Sequence, residues 1–216
     1  MTEPSSDQHL AAGDVAETER GAADRLTFFS DAVVAIAMTL LAIDLEVPEG
    51  DTVQELLTSL GANWDGYLTF LISFAVIARH WIGHHRVFRY VARASTALTW
   101  LNMLWLLLIV LTPFLTRILD DHLDTARFGL YAVAQALQIG VFALMNVVLN
   151  RGGKAFLPGT PRALTHRGWA NTTLTAVGFL VAIPFFPLIG AWAFAFWGLV
   201  PAIGGRIMSA TGFAEN

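Results

Sequence analysis

The sequence predicts an all-α, polytopic integral membrane protein with six transmembrane helices. Two observations support this prediction. The chain has 216 residues, 55% of them hydrophobic, a mean hydropathy of +0.57 and only 14% charged residues, which is less charge than soluble domains of this length carry. The apolar residues also form runs of about 20 residues, the length that an α-helix needs to cross about 30 Å of hydrocarbon.

Six segments meet this length requirement, and together they form one membrane domain over residues 25–210. The predicted spans are Leu26–Val47, Gly66–His84, Leu98–Leu119, Phe128–Leu149, Trp169–Phe186 and Ile189–Met208. Pro184–Gly190 predicts a tight apolar hairpin between the last two spans, and Gly153–Pro161 predicts a flexible loop. Residues 1–24 are polar and lack the features of a signal peptide. We expect them to form a disordered tail, and residues 211–216 to form a short C-terminal tail.

Charge divides the connecting loops into a basic and an acidic set. The basic residues are Arg86, Arg89, Arg93, Arg151, Lys154, Arg162, Arg167 and Arg206. The acidic residues are Glu49, Asp51, Glu55, Asp120, Asp121 and Asp124. Because basic loops remain on the cytoplasmic side, both termini are predicted to be cytoplasmic. An even number of spans agrees with this orientation.

Composition also argues against several functions. The net charge of -4 argues against nucleic-acid binding, which requires clustered Lys and Arg. Cysteine is absent, so disulfides, thiol chemistry and Fe–S clusters are excluded. No nucleophile with an adjacent base and no metal motif is present, so we predict no catalytic residue and no cofactor. A membrane enzyme is therefore the least favoured class of function.

The first span differs from the others because it carries polar groups at membrane depth. Ser30 and Asp31 lie within it, and Asp44 and Glu46 lie at its outer end. A carboxylate inside a membrane is costly, so Asp31 requires a partner or a water-filled cavity. The acidic pair at the outer end would raise the local concentration of cations.

Helical geometry separates the residues of this span into two faces. At 100° per residue, a small or apolar stripe with a single hydroxyl forms along one side: Ala32, Ile36, Thr39, Leu40 and Ile43. Asp31 lies about 140° from Ile36 around the helix, and Ser30 about 120°. The stripe is therefore free to line a space, and the opposite face is predicted to pack against other helices.

Candidate partners for the buried polar groups occur in the second and third spans. His80 and His84 are four residues apart near the inner end of span two, and Asn102 lies in span three. A histidine pair can bind a metal, but the sequence lacks HExxH. We interpret these histidines as hydrogen-bonding partners of buried polar groups, including Asp31, and predict no metal site.

One set of motifs resembles a known family. Arg25-x-x-x-Phe29-Ser30-Asp31, followed by Ala35-Ile36 and Thr39-Leu40, is similar to the first-helix signature of the endosomal and lysosomal potassium channel family, in its bacterial branch. Trp81-x-x-His84-x-x-x-Phe88 and the region around Asn102 resemble the same family. The resemblance covers roughly Arg25 to Phe114. The last three spans match the family only in hydropathy and number.

The resemblance implies a homotetrameric, potassium-selective or weakly selective cation channel in the bacterial plasma membrane. Its pore would be lined by the first helix, with Ile36 at a hydrophobic constriction and Thr39 at a selectivity position. Leu40 and Ile43 would also line the pore. The resemblance assigns structural roles to Arg25, Phe29, Ser30, Asp31, His84 and Asn102. The partners would be monovalent cations and the lipid bilayer, with no cofactor beyond permeant K⁺.

Two alternatives remain open at this point. A proton-coupled or proton-conducting secondary transporter could use Asp31, His80 and His84 as a relay, although that class usually has inverted repeats and broken helices. Thr175–Phe179 also resembles a carbonyl selectivity filter of the TVGYG type. It differs in spacing, however, and lies inside a continuous apolar span, where its carbonyls would be used by the helix.

Overall fold

The computed structural model describes residues 6–121, 123–151, 155–161 and 168–210. Over these residues the chain forms α-helices joined by short loops, and a 3₁₀ turn at Gly190–Phe194. The helices are α1 (Ser6–Ile43), α2 (Val53–Ala62), α3 (Trp64–Phe88), α4 (Thr96–Asp121), α5 (Thr125–Arg151), α6 (Gly168–Ile189) and α7 (Ala195–Ala210). The predicted tail at residues 211–216 and the basic residues Lys154, Arg162 and Arg167 lie outside the described residues.

Six of these helices correspond to the six predicted spans. Stretches in α1, α3, α4 and α5 are each long and apolar enough to cross a membrane, and so is Thr173–Ile207, which contains most of α6 and α7. That last stretch is folded back on itself, because Phe179 packs on Trp197 with ring centroids 4.6 Å apart and Phe185 packs on Phe196 at 5.2 Å. Phe185, which is closer to the turn than Phe179, contacts Phe196, which is closer to the turn than Trp197. The two helices are therefore antiparallel.

Apolar and polar side chains are distributed as in a membrane protein. Large hydrophobic residues are exposed on the outward faces of the helices, including Leu71, Phe74, Leu104, Leu107, Leu130 and Leu137. Buried positions include many polar side chains, among them Ser30, Ser73, His84, Asn102, Gln135 and Gln138. Hydrocarbon solvates apolar side chains and leaves polar groups to find partners within the protein, which explains this distribution.

The N-terminal part of α1 differs from the sequence prediction. A disordered tail was expected over residues 1–24, whereas the helix begins at Ser6 and continues without interruption to Ile43. Alanine, Glu and Arg in this segment favour helix formation. An ion pair between Glu19 and Arg93, which precedes α4, also holds the extension against the membrane domain.

Two connections also differ from the sequence prediction. The loop after α1 contains the helix α2, which was not predicted, although Thr52 and Glu55 form a capping box at its start. The hairpin between the last two spans was placed at Pro184–Gly190, but α6 continues through Pro184 and Pro187 to Ile189. The turn is made at Gly190, whose φ of 56° lies in the left-handed region that glycine tolerates.

The interior of the bundle has two hydrophobic clusters. The first joins α1, α3, α4 and α5 and contains the fully buried Trp105 and Ile77. The second joins α4, α5, α6 and α7 and is rich in aromatic rings, with Phe128 stacked on Phe186 at 4.4 Å and Tyr131 on Trp197 at 5.4 Å. Because α1 packs against α3 and α4, it lies at one edge of the bundle.

The Thr175–Phe179 segment, which resembles a selectivity filter in sequence, contributes to helix packing through Gly178. The segment lies inside the continuous helix α6. A Cβ atom on Gly178 would lie 2.9 Å from the carbonyl oxygen of Phe196, so this glycine permits close contact between α6 and α7.

Gly178→Ala is therefore expected to lower the free energy of unfolding by about 1–3 kcal/mol, because the added methyl group forces the two helices apart. The measurement is the midpoint of thermal unfolding in detergent. Gly140→Ala is the matched control, because a Cβ atom there meets nothing within 4 Å. If both variants unfold at the temperature of the parent protein, the close α6–α7 contact does not exist.

Candidate pore-lining helix and its anchor

The buried face of α1 is defined by residues three or four positions apart. They are Ala23, Thr27, Ser30, Val34, Ala37 and Leu41, each less than 9% exposed. This spacing is that of a single helix face, and the face packs against α3 and α4. The small residues allow the helix backbones to approach closely, so the orientation of α1 about its own axis is set by this contact.

A buried chain of hydrogen bonds fixes this face to two other helices. The Asn102 amide on α4 donates to Ser30 Oγ at 2.8 Å, and Ser30 Oγ in turn donates to the carbonyl oxygen of Leu26 at 2.8 Å. His84 Nε2 on α3 lies 2.9 Å from Asn102 Oδ1. Since an amide oxygen only accepts, His84 donates from Nε2 in this chain. Ser30, His84 and Asn102 are all fully buried.

Aromatic rings hold His84 in place. The imidazole stacks on Phe88 with ring centroids 3.8 Å apart and on Trp105 at 4.4 Å. The ring is therefore fixed in both position and plane, and Nε2 remains aimed at Asn102. His84 and Asn102 were both predicted from the sequence as buried polar residues, and the structure brings them together with Ser30.

Asp31 has different partners from those expected. Its Oδ1 accepts a hydrogen bond from Trp81 Nε1 at 2.8 Å, and its Oδ2 lies 3.5 Å from His85 Nδ1. The partners predicted from the sequence were His80 and His84. Neighbouring residues on a helix point about 100° apart, so His85 faces Asp31 while His84 faces the core. Trp81 was part of the quoted motif, but its indole as the hydrogen-bond donor was missed.

His80 and His84 do not form a metal site with any third ligand that the structure describes. No group of three or more His, Cys, Asp or Glu residues that could hold a metal ion occurs within residues 6–121, 123–151, 155–161 and 168–210. His80 instead lies beside Gln135 on α5. His80 and His84 therefore contact different residues, Gln135 on α5 and Asn102 on α4.

The opposite face of α1 is uncovered in the subunit. All five residues of the stripe are exposed: Ala32, Ile36, Thr39, Leu40 and Ile43. Ile36 is 60% exposed and Ile43 is 74% exposed. Arg25 and Phe29, to which the resemblance gives structural roles, also point outward from the subunit rather than into its core. No described residue of the subunit covers this stripe.

The hydroxyl of Thr39 is oriented by its own helix. Thr39 Oγ1 donates to the carbonyl oxygen of Ile36 at 2.8 Å. The proton of the hydroxyl is thereby used, and the oxygen lone pairs remain available on the exposed side. With its proton donated, the Thr39 hydroxyl offers only its oxygen lone pairs, and a cation is coordinated by such lone pairs.

The C-terminal end of α1 contains an ion pair that was not predicted from the sequence. The helix ends at Ile43, so Asp44 and Glu46 lie in the loop that follows. Asp44 Oδ2 is 3.3 Å from Arg117 Nε, and the Tyr67 hydroxyl donates to the carbonyl oxygen of Glu46 at 2.6 Å. Asp44 was expected to attract cations, but Arg117 offsets its charge. The Glu46 side chain is exposed.

These residues border a cavity of about 240 Å³ at the end of the bundle where α1 terminates. Its lining includes Asp44, Glu46, Tyr67, Thr116, Arg117 and Asp120. Asp65 and apolar side chains such as Leu41 and Phe70 also line it. Carboxylates, one guanidinium and apolar groups therefore share the cavity, which borders the buried Thr116.

The chain has six apolar helices, and the first of them is hydrogen-bonded to its neighbours on one face and exposed on the other. These features define a multi-pass membrane protein of the ion-channel class. The chain belongs to the endosomal/lysosomal potassium channel TMEM175 family, in its bacterial branch. The model of that family matches residues 25–113, the part of the chain that contains the C-terminal half of α1, all of α2 and α3, and most of α4.

Bacterial relatives cover most of the chain. A protein named as a potassium channel from Streptomyces collinus is 35% identical over 167 residues, which are 74% of this chain and 80% of that protein. A potassium channel from Chamaesiphon minutus is 39% identical over 135 residues, covering 62% of this chain and 65% of the relative. The bovine relative, named an endosomal/lysosomal proton channel, is 29% identical, and the alignment covers only 31% of its length.

The fold is also similar to a solved structure. The crystal structure of a lysosomal potassium-selective channel TMEM175 homolog from Chamaesiphon minutus matches with a TM-score of 0.66 and 28% identity. The match covers 86% of this chain and 97% of that chain. The all-α membrane architecture predicted from the sequence is thereby confirmed.

The hydrogen-bonded anchor gives a prediction for stability. Asn102→Ala removes the acceptor for His84 and the donor to Ser30, leaving both fully buried groups with an unsatisfied position. Each such group costs about 1–3 kcal/mol, so the variant should unfold at a lower temperature and yield less assembled protein in detergent. Leu104→Ala, on the exposed side of α4, is the control and should retain both properties. Equal stability of the Asn102 and Leu104 variants would contradict the anchor.

Proposed function

We propose that this chain is a subunit of a homotetrameric channel that conducts potassium across the bacterial plasma membrane, with its pore lined by the exposed face of α1. One observation supports this proposal above all others. The first helix, whose buried face is hydrogen-bonded to α3 and α4, has a continuous stripe, from Ala32 to Ile43, that no described residue of the subunit covers. Two bacterial relatives that are named as potassium channels support this function.

Additional copies of the chain are the best-fitting neighbours for this stripe. A face that meets only lipid gains nothing from small or hydroxyl-bearing residues, because lipid tails pack equally well on large side chains. This face has Ala32, Ala35 and Thr39 between larger apolar residues, a composition that allows helices to approach closely. Four such helices around an axis would enclose a narrow channel. Arg25 and Phe29 then face neighbouring subunits, where a structural role would be fulfilled.

Ile36 would form the constriction of this channel. Four isoleucine side chains at one level produce an apolar ring, and a narrow apolar ring excludes ions when water leaves it. Thr39 lies almost one helical turn further toward the outer side. Its hydroxyl oxygen, whose proton is donated to the Ile36 carbonyl, offers lone pairs to a partly dehydrated K⁺. Leu40 and Ile43 complete the lining.

The charges at the two ends support the proposed orientation. Arg86, Arg89, Arg93 and Arg151 lie at or near the ends of α3 and α5 that we assign to the cytoplasm. The opposite end carries Glu46, Glu49, Asp65 and Asp124. Two arginines at that end are paired with carboxylates: Arg117 with Asp44, and Arg127 with Asp124 at 3.6 Å. With these charges offset, the exposed Glu46 and Glu49 would attract cations to the outer mouth.

The test is a recording from purified protein in a planar bilayer with potassium on one side and sodium on the other. The current should reverse at a voltage displaced toward the potassium equilibrium potential. Thr39→Val removes this hydroxyl from all four subunits and should reduce the potassium-to-sodium permeability ratio at least about fivefold, the factor that corresponds to about 1 kcal/mol of lost ion coordination. No current from assembled protein would refute the proposed channel.

Thr99→Val is the matched control for the Thr39 substitution. Thr99 also donates its hydroxyl to a backbone carbonyl one turn earlier in the chain, that of Ser95 at 3.1 Å, but it lies on α4 and away from the stripe. Its substitution should leave the permeability ratio unchanged. An unchanged ratio in Thr39→Val as well would remove the Thr39 hydroxyl from the selectivity mechanism.

A further inference from the structure

One exposed face of α3 carries two arginines within an apolar surface. Its residues recur at three- or four-residue intervals and so share one side of the helix: Leu71, Ala75, Arg79, Ile82 and Arg86. All five are exposed in the subunit. The stripe that we assign to the pore belongs to α1, so this face of α3 is a separate surface.

Arg79 lies deep in the membrane-spanning part of α3. The helix extends from Trp64 to Phe88 and is long and apolar enough to cross a membrane. At 1.5 Å per residue, Arg79 is about 4.5 Å from the midpoint of this helix, and Arg86 is about 10.5 Å further toward the end at Phe88. A charged side chain at this depth is costly unless an opposite charge or water accompanies it.

Within the subunit, Arg79 has a neutral partner instead of a carboxylate. Its Nη2 donates to Thr175 Oγ1 on α6 at 3.1 Å. No ion pair of Arg79 or Arg86 occurs among the residues that the structure describes, and α6 contains no Asp or Glu. A guanidinium has five N–H donors. The bond to Thr175 therefore holds the Arg79 guanidinium in place but leaves its charge without a counter-charge.

The surface around the two arginines favours a ligand that has both a phosphate and acyl chains. Arginine binds phosphate strongly, through two parallel N–H bonds. Exposed apolar side chains flank the arginines, namely Leu71 and Ile82 on α3 and Val177 and Leu180 on α6. Acyl chains would cover this apolar surface, whereas a free anion would not. Long arginine side chains can approach one phosphate from both sides, because their stems lie along apolar surface.

We propose that this face of α3 binds an anionic glycerophospholipid, with its phosphate between Arg86 and Arg79 and its acyl chains along α3 and α6. The orientation proposed above places Arg86 at the cytoplasmic end of α3. The lipid then comes from the cytoplasmic leaflet, whose anionic lipids bind basic pockets between membrane helices. The phosphate supplies the counter-charge that α6 lacks, and the lipid bridges α3 to α6.

The test is native mass spectrometry of the purified protein in detergent, titrated separately with three probes. These are phosphatidylglycerol, phosphatidylcholine with the same acyl chains, and inorganic phosphate. Phosphatidylglycerol should bind at least about tenfold more tightly than phosphatidylcholine, whose choline group brings a positive charge toward the arginines, and inorganic phosphate should not bind measurably. Arg79→Gln and Arg86→Gln should each weaken phosphatidylglycerol binding at least about tenfold, the factor expected for one lost charge-assisted hydrogen bond.

Arg89→Gln is the matched control. It removes the same charge near the same end of α3, but Arg89 already donates to the Tyr90 hydroxyl at 2.6 Å and lies over the Tyr90 ring. This variant should bind phosphatidylglycerol as tightly as the parent protein. If Arg79→Gln does not assemble, Arg86→Gln provides the same test.

Three results would overturn the proposal. The first is undiminished phosphatidylglycerol binding in an assembled Arg79 or Arg86 variant. The second is equal affinity for phosphatidylglycerol and phosphatidylcholine. The third is inorganic phosphate binding as tight as that of phosphatidylglycerol, which would show a site for a free anion. Lipid binding is measured without any current, so its failure and the failure of the proposed potassium channel are separate results.

Discussion

The hydrogen bonds between Ser30, Asn102 and His84 are the constraint on which the rest of the structure depends. They join α1, α4 and α3 inside a hydrophobic interior, where water cannot replace a broken bond. His84 stacks on both Phe88 and Trp105, and this stacking fixes the imidazole. The position of His84 Nε2 therefore determines where the side-chain oxygen of Asn102 must lie. A helix held in this way cannot rotate about its axis without leaving at least two polar groups unsatisfied.

This constraint connects packing to the proposed function. Because Ser30 and Asp31 must face α3 and α4, the residues on the opposite side of α1 must face outward. The second attachment, from Trp81 and His85 to Asp31, acts on the same side of the helix. The polar residues of α1 therefore orient the stripe of Ile36 and Thr39 without belonging to it. A carboxylate inside the membrane is costly by itself, but here it determines which face remains free.

Periodicity along one helix was enough to predict the two faces of α1. Every stripe residue expected from the 100° spacing is exposed, and Ser30 is fully buried. The partners across helices were less accessible to sequence reasoning. A choice between His84 and His85 depends on the rotation of α3, which the packing of Phe88 and Trp105 decides. The Asp44–Arg117 pair joins loop and helix ends whose relative positions no local pattern specifies. The buried polar residues of α5 were not predicted, because they are spaced apart within an apolar run: Tyr131, Gln135, Gln138 and Asn146.

The most direct test of the central claim is whether water reaches Ile36 in the assembled protein. The chain has no cysteine, so Ile36→Cys introduces a single thiol. A small charged thiol reagent should react with it and block the potassium current. Val34→Cys, on the buried face of α1, and Leu137→Cys, on the outside of α5, should not react. Normal tetramers of Ile36→Cys that conduct potassium and show neither labelling nor block would contradict a pore lined by α1.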